Sequence, residues 1–158
     1  MADKAAGIFD GGAGAEAIEI NAIANEALKI GSPVALLAAA SGEIFARVAH
    51  PAAKTNVIIG VVTGGDNNGI WVDGTTTNDG NAAAAAGEVV KVCIFGRCKV
   101  RVDGNVSNIA VGEQLSFDAD GFARETEATS FTFGVAQQAS TADGDAILCY
   151  VQPTGIKT

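Results

Sequence analysis

The sequence predicts an all-β chain: a small β-barrel or β-tulip-like domain built from two weak internal repeats and preceded by a flexible N-terminal arm. Three observations carry this expectation. Short apolar stretches rich in Val, Ile and Phe recur along the chain, Gly, Asp, Asn or Pro closes each of them, and no window sustains the 3.6-residue period of an amphipathic helix. A series of three such stretches in the first half also reappears, in the same order, in the second.

Residues 1–14, MADKAAGIFDGGAG, are glycine-rich and mixed in charge and follow neither strand nor helix period, so they read as an arm in which Ile8 and Phe9 form an adjacent apolar pair. From Ala17 the run AIEINAI puts Ile18 and Ile20 on one parity and Glu19 and Asn21 on the other, as a half-buried strand requires. A helix over 15–28 would suit the Ala and Glu content but would send Ile18 and Ile20 to different faces. The segments KIGSPVALLAA, GEIFARVA, VIIGVVTGG, GEVVKVCIFGRCKVRVDG, VGEQLSFDADG, FTFGVA and GDAILCYVQP follow, each with β-branched or aromatic character between turn residues. Residues 66–87, rich in Asn, Gly and Thr, read as a surface excursion carrying one short strand at Ile70 to Val72. The expected organisation is one β-domain over 15–153 with a short tail at 154–158.

The repeat is explicit. GEVVKVCI from Gly87 aligns with GDAILCYV from Gly144, IIGVV at 58–62 with TFGVA at 132–136, and KIGSPVAL at 29–36 with AVGEQLSF at 110–117. Two copies of a three-strand unit are what a closed barrel or rolled sheet needs to hide its edges. Parity along each segment predicts a core of Val34, Leu36, Ile59, Val61, Val90, Val92, Ile94, Val100, Leu115, Phe117, Phe133, Val135, Ile147 and Cys149.

Composition narrows the function. The chain carries 10 basic and 18 acidic residues, a net charge of -8, with no basic run to neutralise a row of phosphates, so no direct nucleic-acid partner is expected. No stretch reaches the 18 or so apolar residues of a membrane span, so no membrane partner is expected and synthesis in the cytoplasm is. Three cysteines, Cys93, Cys98 and Cys149, fit neither a zinc ribbon nor a redox pair and read as small buried hydrophobes, so a reducing agent should leave any assembly intact.

A search for chemistry yields no catalytic, cofactor-binding or metal site. His50 is the only histidine and precedes Pro51 in a turn, and phosphate-loop, nucleophile-elbow and zinc-protease motifs are absent. Asp118 and Asp120 begin like a calcium loop, but Thr129 stands where its closing glutamate belongs; a hairpin turn explains them, as it does Asp143 and Asp145. Glu125 and Glu127 read as one solvated strand face. The candidates left are protein-binding: Ile8 and Phe9 in the arm and Trp71 in the excursion, with Phe45 as a further scarce aromatic.

The order of these segments, from AIEINAIANEAL through the Lys29–Val34 opening, I-G-V, GEVVKV broken by Gly96 and continued as CKVRV, GEQLSFDADG and FGVA to GDAILCYV, resembles the capsid decoration, or cement, proteins of tailed bacteriophages and related viruses. The similarity runs from about Ala17 to Val151; the arm and the 66–87 insertion depart from the short form. The resemblance implies a non-enzymatic virion protein, commonly a homotrimer, bound to the major capsid protein on the exterior of the shell. A tail, fibre or adhesin module is the alternative.

Overall fold

The computed structural model describes residues 17–53, 55–66, 82–104, 108–118 and 121–156, and no helix occurs among them. Eleven strands follow in order: β1 (Ile18–Ala24), β2 (Leu28–Lys29), β3 (Pro33–Leu37), β4 (Arg47–Ala49), β5 (Ile58–Gly65), β6 (Ala82–Ala84), β7 (Val89–Asp103), β8 (Gln114–Phe117), β9 (Ala123–Glu125), β10 (Phe131–Ala136) and β11 (Asp143–Ile156). The all-β barrel expectation holds. The arm 1–14, the strand at 70–72, and the candidates Ile8, Phe9 and Trp71 lie outside the described residues, whereas residues 154–156, expected as tail, continue β11.

The pairing closes two five-stranded barrels that share one strand. In the first, β1 runs parallel to β4, and β4–β3, β3–β5, β5–β7 and β7–β1 are antiparallel. In the second, β7 runs parallel to β9, and β9–β8, β8–β10, β10–β11 and β11–β7 are antiparallel. β7 is thus the last strand of the first barrel and the first strand of the second. Gly96, at φ 103, occupies the left-handed region between its two halves, a conformation that a residue without Cβ adopts at little cost.

The two barrels repeat in register. Val34 faces Gly60 as Leu115 faces Gly134, Leu36 faces Val48 as Phe117 faces Ala123, and Ala22 faces Val90 as Val100 faces Ile147. Gly31 donates its N–H to Val62 at 2.7 Å, and Gly112 donates to Ala136 at 2.8 Å. The three-strand unit visible in the sequence is therefore real, and each copy gains two strands: β1 and β4 in the first barrel, the far half of β7 and β9 in the second.

Each barrel has its own core. The first packs small side chains, among them Ala22, Ala24, Ala83 and Ala84 with Val62, Val90 and Val92. The second holds Phe117, Phe131 and Phe133, joined by Ile58, Val61 and Cys93 from the first barrel. Val61 and Cys93 alternate with Val62 and Val92; one set points into the first barrel and the other, with the period of two of a strand, points outward into the second core.

Simple parity fails at a few positions. Val34, Val61, Val90, Val92, Val100, Leu115, Phe117, Phe133, Ile147 and Cys149 are buried as expected. Ile59 and Ile94 are only half-buried because each is the residue skipped where a ladder shifts register, β3–β5 at Ile59 and β1–β7 at Ile94, and Val135, on β10, is half-buried as well. Leu36 is 53% exposed, against expectation, although its counterpart Phe117 is buried. The end of the 66–87 segment is not surface: Ala83 and Ala84 are buried, and a Cβ on Gly65 would lie 2.3 Å from the Ala83 carbonyl oxygen.

Candidate protein-binding surface

His50, Asp118 and Asp145 each make a hydrogen bond at a joint or turn. His50 follows β4: its backbone N–H donates to Glu26 Oε1 at 2.7 Å, its Nδ1 lies 3.1 Å from the same oxygen, and its Cδ2 lies 2.6 Å from where a Cβ on Gly121 would stand. Asp118 accepts the Phe122 N–H at 2.9 Å in the β8–β9 hairpin, while Asp120 is outside the described residues. Asp145 accepts the Ser140 hydroxyl at 2.7 Å. Among the described residues no group of three His, Cys, Asp or Glu could hold a metal ion. The cysteines are buried thiols; Cys98 Sγ lies 3.8 Å from Cys149 Sγ, and hydrogen bonding with Cys149, then with Cys93, and burial push the Cys98 thiol pKa up.

One pair of positions trades places between the barrels. Ile23 faces Arg47 in the first, whereas Arg101 and Phe122 fill the corresponding positions in the second, with the guanidinium 5.1 Å from the ring centre. Arg101 is 3% exposed, and burial lowers its pKa. Its counterpart cation, Arg47, instead reaches outward to build the surface described next.

Among the described residues, five of the eight exposed large apolar side chains gather at one end of the first barrel; Ile18, Phe95 and Val111 lie elsewhere. Leu36 and Leu37 end β3, Ile44 (94% exposed) and Phe45 (40%) lie in the connection to β4, and Val57 (59%) sits beside Leu36 because Ala35 pairs with Ile58. The connection is held in place by Glu43, which accepts the Ala40 N–H at 2.7 Å and Arg47 Nε at 2.8 Å, while Arg47 Nη1 donates to Asn25 at 3.1 Å. Of these residues the sequence marks only Phe45 as a binding candidate, and it assigns Leu36 to the core. The signal that could have found the others is comparison between the repeats, since Phe117 and Phe131, which stand where Leu36 and Val57 do, are 2% and 7% exposed.

The hydrogen bonds from Arg47, and then from the Ala40 N–H, hold the Glu43 carboxyl down to about 2, against an ordinary 4.5. A carboxylate lowered on folding stabilises the folded form above its unfolded value and loses that contribution as pH falls through the folded one. The hairpin should therefore stay fixed at pH 4 and loosen only as pH approaches 2. Carbon-detected NMR of Glu43 should give a midpoint near 2 in the native chain and a clearly higher one in Arg47→Ala, which keeps only the Ala40 N–H bond to hold the carboxyl down. A native midpoint near 4.5 would contradict the assigned bridge.

No family model and no curated protein matches the sequence. Among solved structures, the chain is similar to the N base of the head fibre gp8.5 of bacteriophage phi29, with a TM-score of 0.56 at 17% identity, over 90% of this chain and 100% of that one. The likeness is one of fold.

Proposed function

We propose that this chain is a structural protein of a virus particle: a fibre-type β module, not an enzyme, that attaches to the outside of the head as a homotrimer through the major capsid protein. The observation that carries the reading is the extent of the fold likeness to a phage head-fibre base, which takes in 100% of that chain. An apolar surface at one end of the first barrel suits a part whose work is contact with other proteins. Attachment is multivalent: three modest contacts on one rigid trimer engage together, so the whole binds more tightly than any one. The arm, with Ile8 and Phe9, and Trp71 supply contacts beyond the barrels. A cement role, in which the bound protein also stabilises the shell, is the second reading, favoured by the order of sequence segments.

Purified chain added to particles that lack it should cosediment with them. A variant without residues 2–14 should melt nearly as the full chain does yet bind at least about tenfold more weakly, the factor that 1.4 kcal/mol of lost contact represents. Failure of the full chain to bind would overturn the proposal; equal binding by the truncated chain would remove the arm from it. A fibre base leaves the melting of the shell unchanged, whereas a cement protein raises it.

A further inference from the structure

The same barrel end and the same barrel wall each occur twice in this chain, and only one copy of each is covered. Phe117 and Phe131, at the end of the second barrel, share a core with Val61 and Cys93 from the outer wall of the first, and all four are buried. The corresponding end of the first barrel, Leu36 and Val57, is exposed at 53% and 59%. The corresponding wall of the second barrel, Val135 and Tyr150, is only half-buried; these two residues face each other across β10 and β11, and exposed Phe95 leans edge-on against Tyr150 at 5.5 Å. Each chain therefore keeps one unused end and one unused wall of the kinds it joins internally.

We propose that the open end of the first barrel docks on the β10–β11 wall of the second barrel of a neighbouring copy, so that copies join head to tail. This rests on the homotrimer put forward above and names its interface. The occupant is a second copy because the chain itself displays the surface that covers this end: the outer wall of a barrel of the same fold, presenting two apolar residues from adjacent strands. Charge agrees. Between two chains of net charge -8, the Glu43 carboxylate at this end is matched by Arg47 and adds no unbalanced negative charge to the contact. A contact between two different surfaces closes into a ring when its rotation permits and otherwise runs on as a filament; a ring of three satisfies every end and every wall.

The test is a mixing experiment read by sedimentation. Val57→Asp spoils the end and leaves the wall; Val135→Asp spoils the wall and leaves the end. The native chain should sediment as a trimer at micromolar concentration, and each variant alone should show a threefold lower mass. The two mixed, at about tenfold higher concentration because a single contact lacks the avidity of a closed ring, should form a one-to-one dimer and nothing larger. A monomeric native chain, variants that stay trimeric, or a mixture that stays monomeric would each overturn the proposal. Thermal melts confirm folding, and Leu148→Glu on the same wall replaces Val135→Asp if that variant unfolds. A monomeric native chain that still binds particles would sink this interface and leave the virion reading standing.

Discussion

Gly60→Ala should cost about 3 kcal/mol or more, the upper part of the range for forcing a methyl group into a packed interior. The added Cβ would stand 2.1 Å from the Cys93 carbonyl oxygen and 2.8 Å from its carbon, which are backbone atoms of β7. That strand cannot retreat easily, since it closes two barrels at once. Gly134 is the counterpart in the second barrel, with a Cβ 2.7 Å from the Tyr150 oxygen, so Gly134→Ala should be damaging but less so, about 1 to 2 kcal/mol. Gly64, in the same strand as Gly60, has open space around it, and Gly64→Ala should be neutral or slightly stabilising. Urea midpoints of the three variants should fall in that order; Gly60→Ala unfolding with the native chain would refute the register.

Phe133→Ala should be as severe, about 4 kcal/mol, from lost burial and the cavity left behind. Phe133 is fully buried among the large side chains of the second core. Its counterpart Ile59 is half-buried in the first barrel, where alanines and valines leave less volume to lose, so Ile59→Ala should cost about half as much or less. Against a total stability on the order of 5 to 15 kcal/mol, the first substitution leaves a visibly lower denaturation midpoint and the second a small shift. Equal losses would mean that the two barrels are packed alike, contrary to their core compositions.

Much of the fold was legible because its signals are local. Glycines at 31 and 112 with φ near +86 and +88, and at 87 and 144 with φ +88 and +76, mark equivalent bends at or just before the starts of equivalent strands, and such bends write themselves into sequence. What stayed hidden is what depends on distant partners. β6 is three alanines, weak strand formers that pair with the distant two-residue β2 and lie against Gly65, where a Cβ would meet the Ala83 carbonyl. The closing parallel contacts, Ala24 with Val48 and Val102 with Ala123, join segments far apart in sequence and leave no periodic trace, so two rings read as one. The exposed end was hidden for a related reason: Leu36 and Val57 have the residue types of a core, and only the absence of a covering wall makes them surface.

The claim that this is a part of a virus particle is tested most directly by peptide mass spectrometry of purified particles, coupled to cryo-electron microscopy of their heads. The account predicts the chain at a fixed stoichiometry in multiples of three, with paired barrel-shaped density on the outer surface that disappears when the gene is deleted. Particles free of the chain, with all of it left in the soluble fraction of the producing cells, would contradict it.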